Sequence, residues 1–169
     1  MDKTGVPFNA VLLWLHIFSG ASWFGATLLF AMVVGPTIGD FSPATSNEVV
    51  VKMLPKYLRF TVILTLVAPI LGLVTALDYS GWSFTVFSTG STFGVYMTAG
   101  AVFSLLTWVV VLGVVYPTGN KIVSIHRGIE KGQPQPASLP GLAMRLKVSS
   151  GIGLALLIAI LICMVAATY

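Results

Sequence analysis

Among the side chains whose lone pairs suit a transition metal, four are expected together in the outer half of the membrane: His16, Met97, Cys163 and Met164. Imidazole and thioether are the two neutral ligands that together hold haem iron or copper, and sulfur with imidazole suits Cu(I). His16 is the most telling of the four. It stands in "WLHIFSGASW", residues 14 to 23, within an apolar run that has no other ionisable side chain. An uncompensated polar group in hydrocarbon costs several kcal/mol, so an ionisable residue inside a membrane span is a functional candidate by default. The competing explanation is a neutral histidine bonded to a nearby carbonyl or hydroxyl, such as that of Ser19 or Thr98.

The elements that position these residues follow from composition. Of 169 residues, 56% are hydrophobic and 8% charged, against about a quarter charged in an ordinary soluble domain. The chain therefore reads as one integral membrane domain, residues 1–169. Four apolar stretches are long enough to cross about 30 Å of hydrocarbon: roughly 8–34, 57–77, 93–115 and 142–167. Backbone groups in lipid must be satisfied internally, and no alternating barrel pattern is present, so all four are expected as helices. The start of the chain, with Asp2, Lys3 and Pro7 ahead of a long apolar run, does not resemble a cleaved signal peptide, and the first span is expected to be retained.

Charge sets the expected orientation. Eight of nine Lys and Arg residues (Lys52, Lys56, Arg59, Lys121, Arg127, Lys131, Arg145 and Lys147) lie between spans 1 and 2 or between spans 3 and 4. Only Lys3 lies on the other side. The positive-inside rule then predicts a multi-pass protein of the cell membrane with both termini outside. Membrane orientation, rather than nucleic-acid binding, accounts for the net charge of +4. Tyr79, Trp82 and Phe84 in the outer loop read as an interfacial anchor. Ile122, Ile125 and Ile129 recur at helical spacing among charges, predicting a cytoplasmic helical extension over about 118–132, lying near the interface. His126 on it is expected to be solvated or to face headgroups. Arg59 and Arg145 read as interfacial, snorkelling residues. The single cysteine excludes an intrachain disulfide. No carboxylate pair, Ser/His/Asp set, HExxH or glycine-rich phosphate loop is present, so nothing points to hydrolysis or nucleotide chemistry.

The chain carries an internal repeat. Span 1 closes on "VVGPT" and span 3 on "VVYPT"; each is followed by a Leu-Pro pair, an arginine and a new span. Both halves run in the same direction, so the expected architecture is an all-α four-helix bundle of two hairpins. They would be related by a pseudo-two-fold axis along the membrane normal. His16 lies 20 residues before Pro36, and Met97 lies 20 residues before Pro117, which makes Met97 the counterpart of His16 across that axis. Gly20, Gly25, Gly72, Gly94, Gly100, Gly151 and Gly153 thin the helices around this level. They either leave room for a flat macrocycle or serve ordinary small-residue packing. Trp14, Phe18, Trp23 and Phe103 could wall a haem or be plain apolar bulk.

The run "LLWLHIFSGASWFGATLLFAMVVGPTI" resembles the first span of copper-resistance D-type domains and of urate oxidase N-terminal membrane domains, at His16, Gly20, Trp23 and Gly25. The ending "LLIAILICMVAATY" resembles the close of such domains. The membrane protoporphyrinogen oxidases, which bind haem b through a first-span histidine, are similar at His16 and Trp23. This chain lacks their Tyr-Leu-Pro-Arg continuation, so their oxidase activity does not carry over. The resemblance implies a four-helix bundle with haem b or copper handling, and it transfers only His16 as a ligand.

The expected function is haem b binding for electron transfer, alone or in a membrane oxidoreductase complex. His16 and Met97 would be the axial ligands, with Gly20 and Gly100 admitting the ring. One alternative is copper binding or transport through His16, Met97, Met164 and Cys163. The other is a non-catalytic accessory subunit. Expected partners are the lipid bilayer, a redox partner or larger complex, and a second copy of the chain, with no nucleic acid.

Overall fold

In the computed structural model, which describes residues 8–167, four long helices follow one another: α1 Phe8–Ile38, α2 Pro43–Tyr79, α3 Thr92–Glu130 and α4 Leu139–Ala166. Each is long and apolar enough to cross a membrane. No strand occurs among the described residues. The bundle is all-α, and its outward faces stay apolar, with Trp14, Ile63, Val109 and Ile162 all exposed. Such a surface suits lipid and not water, so the chain is a multi-pass membrane protein.

The helices start where the local chemistry fills orphan amides. Ser42 accepts from the Thr45 amide, with Pro43 in the first turn of α2, and Ser91 accepts from the Gly94 amide at the head of α3. Both are strong start signals. The α2–α3 connection turns through Gly81 and Trp82, at φ of 66° and 62°, and then a short 3-10 turn, Phe84–Phe87. Tyr79, Trp82 and Phe84 are all exposed there, where an aromatic anchor would sit. All eight described Lys and Arg residues cluster at the opposite, basic end of the bundle; Lys3 lies outside the described residues.

Neither Pro36 nor Pro117 ends its helix, and here the structure departs from the sequence reading. Ahead of each proline the helix widens into a π turn, Phe30–Val34 and Val111–Val115. The Gly35 amide bonds Phe30 O, and the Tyr116 amide bonds Val111 O. Proline has no N–H to donate and its ring crowds the carbonyl four residues back; a wider turn absorbs that misfit. The two bulges begin 81 residues apart, at 30 and 111, and the two prolines are also 81 apart, at 36 and 117. The repeat is thus written in the backbone, in the same register that pairs His16 with Met97.

With Pro117 absorbed, α3 runs past the expected span 93–115, and α2, which starts at its Ser42 cap and takes in Pro55, exceeds the expected 57–77. At a rise of ~1.5 Å per residue each is roughly 55 Å long, about 20 Å more than the hydrocarbon requires even with some tilt. The surplus lies at the basic end. There the residues expected as a separate interfacial extension are the unbroken end of α3, packed on the first turns of α2. Ile122 and Val123 are buried with Val50, Leu54 and Leu58, together with Val115 and Leu139. Leu58, 1% exposed, fits because Gly119 opposes it: a Cβ on Gly119 would stand 2.6 Å from Leu58 Cδ1. His126, expected to be solvated or to face headgroups, is half-buried, with Nδ1 2.7 Å from Asn47 Oδ1.

Around the bundle, α1 packs on α2, α3 on α4, α2 on α3 and α4 on α1. α1 and α3 are therefore diagonal, as are α2 and α4. A second core, Trp23, Leu64, Ala68 and Leu157, fills the middle.

Leu58→Ala should lower stability by about 2–5 kcal/mol, read from denaturation in detergent. Burial pushes the His126 pKa below its ordinary value, while the charge of Glu130 pulls the other way. The folded state thus favours the neutral ring. Its contribution is present above the unfolded pKa of about 6.5 and is lost as pH falls through the lower folded value. Amide protection factors near Asn47, corrected for the intrinsic pH dependence of exchange, should fall on acidification below about pH 6.5, and His126→Gln should flatten that dependence.

Candidate functional site

His16 lies on α1, and its ring enters the seam with α2. The seam admits it because position 72 is glycine: a Cβ there would stand 2.7 Å from His16 Cε1 and 3.0 Å from Nδ1. Nδ1 is 2.9 Å from the carbonyl oxygen of Ala68. A carbonyl only accepts, so Nδ1 carries the hydrogen, and the neutral ring keeps its lone pair on Nε2. Among the described residues Nε2 has no hydrogen-bond partner. A ligating histidine usually has this arrangement, one nitrogen tied to a carbonyl and the other available.

The hydroxyls named from the sequence as partners are engaged elsewhere. Ser19 Oγ donates to the His16 carbonyl itself, and Thr98 Oγ1 donates to Phe87 O. One turn along α2, Pro69 withholds the amide that would otherwise reach the Thr65 carbonyl. The Trp108 indole N–H of α3 bonds that oxygen instead.

The other candidates are not gathered around His16. Met97 is half-buried on α3, diagonal to α1. Gly100 leaves no opening for a ring, since Met164 Cε and Cys163 Cβ lie 3.2 and 3.7 Å from where its Cβ would be. The buried, free thiol of Cys163 and the Met164 thioether thus close on α3, whereas His16 closes on α2. No group of three or more His, Cys, Asp or Glu residues converges among the described residues. Gly20 and Gly25 do face open space, with Gly25 exposed. Gly94 is a docking point, where a Cβ would overlap the Ser88 backbone. Trp14 and Phe18 stack on each other with ring centroids 5.4 Å apart on an exposed face. For haem, the structure offers one ligand nitrogen with an available lone pair, His16 Nε2.

A second polar feature escaped the sequence reading. Tyr57, Thr61 and Thr65 recur every fourth residue along α2, and Trp23 and Thr27 do so on α1. Trp23, Thr27 and Thr61 line a small cavity with Tyr57, Thr107, Ser150 and Gly153. The Trp23 Nε1, Thr27, Thr61 and Thr65 polar atoms are buried without a hydrogen-bond partner. Polar residues at a spacing of four inside an apolar span were the available signal.

Comparison with protein-family models, with curated proteins and with solved structures yields no match.

Gly72→Ala should expel the imidazole from the seam and break the bond to Ala68, lowering stability by about 1–3 kcal/mol. Thermal denaturation reads the loss, and the ¹⁵N resonances of His16 should lose the signature of a single Nδ1–H tautomer.

Proposed function

We propose that this protein binds one haem b through His16 Nε2 and serves electron transfer, alone or as a subunit of a membrane oxidoreductase complex. We place it in the cell membrane with both termini outside, the orientation that its basic end favours. The observation that carries the haem reading is the His16 pose: the ring is oriented by the Ala68 carbonyl, fitted against Gly72, and keeps an unshared lone pair on Nε2. A bound haem would supply a one-electron couple, tuned by its axial ligand and by burial. This chain's residues would hold the ligand nitrogen in one tautomer and keep it from rotating. Any further ligand would come from outside the chain, because the Ala68 carbonyl and Gly72 that flank the His16 ring both belong to α2 and not to α3, which carries Met97. The placing of Cys163 and Met164 against Gly100 gives the copper reading no comparable support.

A second reading rests on the same bond. Both neighbours of the His16 ring, Ala68 O and Gly72, belong to α2, so the imidazole could serve only to lock α1 to α2 in an accessory subunit.

Two substitutions separate the readings. Asparagine places an N–H near the position of Nδ1 but has nothing in place of Nε2. His16→Asn should therefore keep most of the thermal stability while abolishing the Soret band of haem-loaded protein, whereas His16→Ala should lose both. Met97→Leu should leave the reduced spectrum unchanged. Wild-type protein that gives no shifted, saturable Soret band when titrated with haemin, with His16→Asn equally stable, selects the accessory role.

A further inference from the structure

The cavity among the four helices asks for an occupant of definite chemistry. It is about 20 Å³ in volume, room for a single water molecule, which needs roughly two to four polar partners. Three are in place. Trp23, Thr27 and Thr61 are 3%, 6% and 3% exposed, line the cavity, and make no hydrogen bond of ordinary length and angle, although the Tyr57 hydroxyl stands close to both threonines. Near them lies the Tyr57 hydroxyl, held by the stacking of its ring on Phe30 at a centroid distance of 3.9 Å.

The donors and acceptors narrow the choice. Indole N–H only donates, so the occupant must accept, which excludes a bare cation. No Lys, Arg or His lines the cavity, so an anion would be buried without a counter-charge, at prohibitive cost in a low-dielectric interior. An apolar occupant would leave every polar atom unmet. Thr107, another lining residue, already donates its hydroxyl to Phe103 O at 2.8 Å and can only accept from an occupant. A molecule that accepts from Trp23 and donates to threonine oxygens satisfies all of these constraints.

We propose that this cavity is a fixed hydration site, in which one water accepts from Trp23 Nε1 and bridges the Thr27 and Thr61 hydroxyls. The two π turns border it: Val111 and Val115 line the cavity, and Phe30, which opens the other bulge, braces Tyr57. Single-turn π bulges recur at functional sites; here they lie beside an interior to which both repeats offer polar side chains. The inference does not depend on haem.

The sign of a stability change tests it. Thr27→Val and Thr61→Val are nearly isosteric and remove one hydroxyl each. If a water is held there, each should lower the apparent denaturation midpoint in detergent by about 2–4 °C, and Thr61→Ser, which keeps the hydroxyl, should recover most of the loss. If the cavity is dry, the same valines made in a Tyr57→Phe background, where the threonines have no phenol beside them, should leave the midpoint unchanged or raise it, which overturns the proposal. Independently, the Trp23 indole N–H resonance, assigned with Trp23→Phe, should show a cross-peak to long-lived water that disappears in Thr27→Val/Thr61→Val. Its absence from the wild-type protein would also overturn it.

Discussion

The contact between the His16 imidazole and the Ala68 carbonyl governs how the far half of this bundle is understood. It needs three things at once: an ionisable ring on α1, a carbonyl on α2 able to accept a second hydrogen bond, and no side chain at position 72. Remove any one and the other two lose their purpose. The bond also fixes which nitrogen of the ring keeps its lone pair. A structural lock and a poised ligand are therefore the same geometry, distinguished only by what meets Nε2.

A broader constraint lies behind that contact. In hydrocarbon no solvent repairs a broken backbone hydrogen bond, and this chain places four prolines inside its long helices, at 36, 55, 69 and 117. Pro36 and Pro117 are accommodated by π turns. At Pro69 a side chain intervenes, and the Trp108 indole takes the bared Thr65 carbonyl. That bond ties α3 to α2, one hairpin to the other, so a local defect becomes a link between the repeats.

Much of the fold was legible in the sequence, because apolar length and the need for internal backbone bonding leave little choice. The repeat was legible too, through Pro36 and Pro117. The ends of α2 and α3 were not. Proline reads as a stop signal by rules learned from soluble helices, and the polar stretch after Ser42 reads as loop until its cap and its packing against Ile122 and Val123 are seen. At the site, His16 stood out by its type alone, but its partner did not, since a backbone carbonyl has no letter in the sequence. Met164 and Cys163 were legible as ligand types; that they fill the gap at Gly100 depends on side-chain packing across α3 and α4, which spacing does not encode. The threonines of α2 were overlooked because each is unremarkable singly and only their shared face gives them meaning.

The unbroken passage of α3 through Pro117 makes it a rod of 39 residues with its tip outside the apolar zone. Such a rod is a lever. Its fulcrum is the tight seat of Leu58 in the notch at Gly119. The arm beyond the fulcrum ends near Asn47 and Glu130, beside an open groove, and the arm on the inner side carries Val111 and Val115 on the cavity wall. A molecule that binds the tip would meet a helix that runs without a break to the cavity wall.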